Sequence, residues 1–296
     1  VPKVKLNWIF SLITSIGLSS VAVPVRGQAL VPYVPKLDSE RFQQQGLELL
    51  QDAVQLIKFQ QYELALPRAE LATQLAPNNY EVWFILGSLY VQQDKLDRGI
   101  KILEKAQFLA PQQESILFTL GNAYFQKGDY QAALKKLEAG LKLKKDSPEA
   151  LFDLGNTYLK LADFSKAIAS YEQAFAQEKT FWPAINNVGL IEYEQGDIDE
   201  AMEKWQTALE IDGEQAEPQL ALAVAFFAQG QVEKGLELGE AALAIDKRYA
   251  DIQFLRDNLW GEKLLADTQA FLATPQMQAV VARFQNEPVE AENPAE

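Results

Sequence analysis

The chain repeats itself every 34 residues. Cut at that period from Gly46, six segments follow one another without insertion or deletion: 46–79, 80–113, 114–147, 148–181, 182–215 and 216–249. Position 8 of the unit is Ala53, Gly87, Gly121, Gly155, Gly189 and Ala223. Position 20 is Ala65, Gly99, Ala133, Ala167, Ala201 and Gly235, and position 27 is Ala72, Ala106, Gly140, Ala174, Ala208 and Ala242. Positions restricted to the smallest side chains let two antiparallel helices approach closely. Larger residues at 4, 7, 11 and 24 are expected to fill the space between one pair and the next. Gly128-Asp129, Gly196-Asp197 and Gly230, near position 15, end the first helix with a residue that tolerates positive φ. Pro77 and Pro111 stop the second helix, because proline cannot continue one. A single hairpin cannot bury its own apolar face, whereas a stack of six can. The predicted fold is therefore all-α, a right-handed α-solenoid with a concave and a convex face.

Composition narrows the chemistry. The 296 residues include no cysteine and no histidine. That excludes disulfides, thiolate nucleophiles, imidazole bases and the usual zinc and haem ligand sets. A carboxylate site for a hard cation stays formally open. The balance of 27 basic against 41 acidic side chains gives a net charge of −14, which argues against nucleic acid as a partner. Most of the acids fall on exposed helix positions and turns, such as Asp94, Asp129, Glu149 and Glu200. The reading is of a chain without catalytic residues, cofactor or metal. A carboxylate-based hydrolase is the remote alternative, since a catalytic pair needs a closed cleft and tuned pKa values.

The repeat resembles the tetratricopeptide repeat family. Residues 114–147 (ESILFTLGNAYFQKGDYQAALKKLEAGLKLKKDS) come close to an idealised unit, and the pattern covers 204 of 296 residues. Position 32 departs from it at Lys145, Lys179, Gly213 and Lys247, position 11 departs at Glu192, and the first helix of unit one is degenerate. The resemblance implies that helix A positions 2, 5, 6, 9, 12 and 13 line a concave groove that holds a peptide or partner protein. In this chain those positions supply Phe84, Phe118, Phe125, Phe152 and Tyr193 as aromatic surface, with Asn122, Asn156, Asn186 and Asn187 as amides and Lys160 at the edge. An Asn amide can both donate to and accept from a peptide backbone. The same aromatics and amides also serve ordinary packing within the family, so both readings stand. A clamp for a C-terminal carboxylate is rejected, because position 5 carries no lysine in any unit.

Outside the repeats, residues 1–29 contain an uncharged stretch from Leu6 to Val25, preceded by Lys3 and Lys5. Twenty residues make a helix about 30 Å long, enough to cross a bilayer core. Three readings stay open: one hydrophobic amino-terminal helix acting as a single-pass membrane anchor, a signal peptide cleaved after Ala29, or a buried helix. Flanking positive charges are nearly even and do not set an orientation. Residues 30–45 read as a linker, 250–285 as capping helices and 286–296 as an acidic disordered tail.

Helix A of unit six is apolar on nearly every face between Leu220 and Ala228. A helix of that kind is buried. The chain's own residues 262–284, a partner helix or a second copy of the chain is expected to cover it. The C-terminal run LRDNLWGEKLLADTQA, residues 255–270, is similar to the ending of the membrane-anchored tetratricopeptide type of cyanobacteria and chloroplasts that partners protochlorophyllide oxidoreductase. That resemblance implies a photosynthesis or chlorophyll-biosynthesis protein as client, and a plasma or thylakoid membrane as location. The expected function is a membrane-tethered scaffold that holds a client protein in its groove and assists its assembly or localisation. An exported binding protein is the alternative.

Overall fold

The computed structural model describes residues 38–286. The apolar stretch 6–25, residues 30–37 of the expected linker and the tail from residue 287 lie outside the described residues. Every regular element among the described residues is helical. In order they are α1 (Ser39–Lys58), α2 (Tyr62–Leu75), α3 (Tyr80–Gln92), α4 (Leu96–Leu109), α5 (Glu114–Gln126), α6 (Tyr130–Leu143), α7 (Pro148–Lys160) and α8 (Phe164–Gln177). There follow α9 (Trp182–Gln195), α10 (Ile198–Ile211), α11 (Ala216–Ala228), α12 (Val232–Ile245), a 3-10 turn (Lys247–Ala250), α13 (Ile252–Asp257), α14 (Glu262–Leu272) and α15 (Pro275–Asn286). None of these helices is long and apolar enough to cross a membrane.

The helices keep the sequence register. From unit two onward helix A begins at position 1 and helix B at position 17 of each unit. Unit one differs at its start, because α1 begins at Ser39, seven residues before Gly46. Residues 39–45, read as linker, are helical here. They face solvent all round and so carry no apolar stripe for the sequence to show.

The small residues answer large ones across each hairpin. A Cβ built on Gly87, Gly121, Gly155 or Gly189, all at position 8, would collide with Leu103, Leu137, Tyr171 or Trp205, all at position 24 of the same unit. Position 20 faces position 12 in the same way, Gly99 against Val91 and Gly235 against Phe227. Position 27 faces position 5, Gly140 against Phe118. The position-24 side chains therefore lie over their own hairpin, rather than only between units as the pattern implied. Trp205, Tyr171, Leu137 and Leu103 are fully buried there.

Every hairpin turns at position 15 through the left-handed region. Gly128, Gly196 and Gly230 have φ of 82°, 96° and 81°, and Gln60, Asp94 and Ala162 hold φ of 57°, 58° and 58° without glycine. Consecutive units are stapled by a second periodic contact. The position-11 phenol of one unit donates to the position-25 carboxylate of the unit before: Tyr90 to Glu70, Tyr124 to Glu104 at 2.9 Å, and Tyr158 to Glu138 at 2.9 Å. Burial, and then the neighbouring carboxylate, pushes these three phenols up to about 12, so they remain donors at neutral pH. The staple ends at unit five, where position 11 is Glu192.

Candidate protein-binding groove

Helices A of successive units touch one another, α1 with α3, α3 with α5 and α5 with α7, and together they form the inner wall. In the first units this wall is open. A depression of about 390 Å³ is lined by Leu50, Val54, Tyr80, Phe84 and Ile85, with Glu81 and Ser115 on its rim. A second depression of about 390 Å³ is lined by Ser88, Val91, Gln92, Thr119, Asn122 and Gln126. The first is mainly apolar and the second mainly amide and hydroxyl. The wall thus changes chemistry from unit to unit.

Of the residues expected to contact a ligand, the structure leaves Phe84, Phe118, Asn122, Phe125 and Phe152 half-buried along units two to four, with Lys160 exposed at the edge. The aromatics also pack. Phe118 lies over Gly140, Phe125 meets Tyr130 at 5.4 Å between ring centres, and Phe152 sits 5.5 Å from Tyr171 and 5.4 Å from Phe181. Asn122 accepts from Gln126 Nε2 at 2.6 Å within its own helix.

The other expected residues are drawn into the protein. Asn156 Oδ1 accepts from the Tyr171 hydroxyl at 2.6 Å and from Asn187 Nδ2 at 3.2 Å. Asn186 Nδ2 donates to Asn187 Oδ1 at 3.2 Å, and both side chains are buried. These three amides chiefly satisfy one another. Tyr193 is fully buried, 5.7 Å from the Trp205 ring, and its hydroxyl donates to Asp267 Oδ2 at 2.7 Å. Burial and the Asp267 carboxylate push that phenol well above its ordinary value.

What closes this end of the groove is the chain itself. α14 lies against α9 and α11, the helices A of units five and six. Its first amides are capped from a distance, since Glu194 accepts from the backbone N–H of Lys263 at 3.1 Å and of Leu264 at 2.8 Å. Lys263 Nζ donates to the Tyr193 carbonyl and stands 4.8 Å from the Tyr193 ring centre. Toward the C-terminal end of α14, Phe271 is fully buried, packs on Phe227 at 5.3 Å and fills the space above Gly239. Gly239 is position 24 of unit six, where units two to five carry Leu, Tyr or Trp. The ring that completes the sixth hairpin therefore comes from α14. The chain's own helix covers the apolar helix of unit six, which settles that alternative against an external partner at this point.

Sequence reasoning missed Glu194, Glu217, Trp260, Asp267 and Phe271. Two signals pointed to them: a glycine at position 24 of unit six, and a lone acid, Glu217, at the start of its greasiest helix. The first of the expected capping helices, α13, is only six residues long, and beyond it Leu259 adopts φ of 70° and the chain turns Trp260 inward. Trp260 Nε1 then donates to Glu217 Oε1 at 2.9 Å. The Glu217 carboxyl is enclosed even though part of the residue reaches the surface, and burial pushes its pKa up to about 7 against the hydrogen bonds from Trp260 and Asn186. Asp153, on the groove side of α7, is raised to about 6 by burial and the nearby Glu149.

Family models agree with the repeat. A tetratricopeptide repeat model matches residues 121–161 and 189–230, and a second matches 148–181. The model of the ChAPs (Chs5p-Arf1p-binding proteins) matches residues 33–118. Among solved structures, a crystal structure of MamA protein is 24% identical, covers 60% of this chain and 93% of that one, and superposes with a TM-score of 0.51. MamA from Desulfovibrio magneticus RS-1 is 18% identical, with 58% and 97% covered and a TM-score of 0.54. A chain of the APC/C hetero-tetramer Cut9-Hcn1 is 16% identical, with 78% of this chain and 46% of that one covered and a TM-score of 0.60. At these identities the likeness is one of fold. No curated protein matches the sequence significantly.

Proposed function

On the premise that this chain carries tetratricopeptide repeats, we propose that it is a protein-binding scaffold that holds a segment of a client protein on the concave wall of units one to four. The observation that carries the reading is α14. The same wall, continued into units five and six, already seats a helix through apolar packing and backbone-directed hydrogen bonds. Units one to four offer the same helix-A surface uncovered by any described residue. Half-buried aromatics in such a surface supply most of the contact energy, a few residues contributing ~2 kcal/mol or more each. No catalytic role is assigned.

We further propose that the uncharged stretch 6–25 tethers this scaffold to a membrane, which raises its effective concentration near membrane clients. The likeness of residues 255–270 to the anchored photosynthetic type makes protochlorophyllide oxidoreductase the first client to try. Photo-crosslinking residues placed at Phe84 and Asn122, with a control at Thr207 on the outer face, test the groove in the full chain. Client adducts at the first two positions support it. Adducts at the control alone would sink it. Alkaline extraction of native membranes tests the tether separately, and release of the chain speaks against it.

A further inference from the structure

The convex wall is made by helices B, whose outermost side chains stand at positions 19, 22, 26 and 29 of each unit. These positions are not alike along the stack. In α2 they include Leu64 and Leu71, exposed by 53% and 43%. In α4 they are Arg98, Lys101, Lys105 and Phe108, and Phe108 is 78% exposed, the most exposed large apolar side chain among the described residues. In α6 they include Lys135 and Lys142, within a stretch, 135–145, of five lysines and one glutamate. In α10 the same positions carry Glu200, Glu203 and Glu210. A chain of net charge −14 thus sets Arg98, Lys101, Lys105, Lys135 and Lys142 beside Phe108, Leu64 and Leu71 at one end of one face.

Arg98 pairs with Glu70 at 3.3 Å. The lysines of the stripe have no such partner: among the described residues Lys101, Lys105, Lys135 and Lys142 make no ion pair. The nearest glutamates of the same helices, Glu104 and Glu138, are turned toward Tyr124 and Tyr158 of the next units, whose hydrogen bonds hold them in place without removing their charge. Lys105 Nζ lies 5.3 Å from the Phe108 ring centre, so charge and apolar surface are presented together.

We propose that this stripe on α2, α4 and α6 is a docking surface for an anionic lipid bilayer. The match is one of layered chemistry: lysines meet phosphates at the headgroup level, while Phe108, Leu64 and Leu71 reach the hydrocarbon boundary beneath. A convex face with protruding tips suits a yielding interface better than a shaped protein pocket. The acids of α10 lie several helix diameters away, beyond a screening length of about 8 Å at physiological salt, so they do not cancel the attraction. The stripe also occupies the units that directly follow the uncharged stretch 6–25, although it needs no anchor to act.

The absence of cysteine makes the test direct. Ala139→Cys and Thr207→Cys place one environment-sensitive fluorophore at position 26 of unit three or unit five in the full chain. Vesicles of phosphatidylcholine alone are compared with vesicles that also contain phosphatidylglycerol. The expected result is a blue shift and loss of aqueous quenching at residue 139 with phosphatidylglycerol, none at residue 207, and reversal by high salt. Replacing Lys101, Lys105 and Lys142 together by Gln should weaken the phosphatidylglycerol-dependent part by about a hundredfold. A chain that binds these vesicles with residue 139 still open to quencher overturns the proposal, as does binding unaffected by the three substitutions. Shielding of residue 139 by an acidic protein but not by vesicles also overturns it. Failure to bind pure phosphatidylcholine would count against the amino-terminal tether and leave the stripe standing.

Discussion

Glu194 and Leu264 are 70 residues apart, yet the carboxylate of the first accepts the backbone N–H of the second at 2.8 Å. A helix N-terminus leaves its first amides without partners, and a carboxylate there also meets the positive end of the helix dipole. α14 has no side-chain cap of its own, because the residue before it is Gly261. The cap is supplied by the last turn of α9. Glu194→Ala should therefore cost about 2 kcal/mol and cost it locally. Gly261→Ala should do the same by another route, because its Cβ would run into the Glu194 side chain. Hydrogen exchange checks both: amides 263–272 should lose protection while those of α5 and α6 do not. Uniform loss across the solenoid would show that α14 is not a separable element.

The 34-residue period makes only part of this structure legible, for a physical reason. Regular contacts recur once per unit, so the 34-residue period exposes them: Gly189 under Trp205 is the same contact as Gly121 under Leu137. Contacts made once have no period to reveal them. Tyr193 to Asp267, Glu217 to Trp260 and Gly239 under Phe271 each join a repeat to a segment outside the repeats. The amides went astray for a related reason. Asn156, Asn186 and Asn187 sit at groove positions by register, but register does not tell whether an amide faces a ligand or another amide.

Glu217 gives the domain a pH dependence whose sign follows from its environment. Burial raises its folded pKa from 4.5 to about 7, so between these values the folded state holds a proton that the unfolded chain has released. Stability is full below pH 4.5 and falls as pH rises toward 7, by about 3 kcal/mol for the whole shift. Asp153, raised to about 6, pulls the same way. Glu217→Gln keeps an acceptor for Trp260 Nε1 and removes the buried ionisation. The variant should melt higher than the parent at pH 8 and match it near pH 4.5. Parallel melting curves across that range would mean the Glu217 carboxyl is solvated.

Ala162 turns its hairpin with φ of 58°, where three other units use glycine. An L-residue in the left-handed region costs about 1–2 kcal/mol, whereas glycine costs about 0.5–1 kcal/mol in lost chain freedom. Strain exceeds entropy, and the residue is exposed with no packing to lose. Ala162→Gly should stabilise by about 0.5–1 kcal/mol in chemical denaturation. Asp94→Gly should gain less, since aspartate tolerates this conformation better than alanine.

Glu192 offers the last test, because it stands where Tyr90, Tyr124 and Tyr158 stand in earlier units. Its partner by register is Glu172, twenty residues back, just as Glu138 is twenty residues back from Tyr158. The junction of units four and five thus carries two carboxylates where earlier junctions pair a phenol with a carboxylate; burial raises the Glu192 pKa, Lys204 opposes it, and Glu200, Asp197 and then Glu172 add repulsion. Lys204 relieves this only at 3.9 Å, and Glu192 Oε2 is buried without a hydrogen bond. Glu192→Tyr should replace the repulsion by the phenol-to-carboxylate bond of the other junctions and stabilise by about 1–2 kcal/mol. Glu192→Phe removes the acid without adding the hydroxyl, so it isolates the staple. Tyrosine should exceed phenylalanine by about 1 kcal/mol in urea denaturation. Equal stabilities for the two would mean that the periodic Tyr–Glu bond does not hold neighbouring units together.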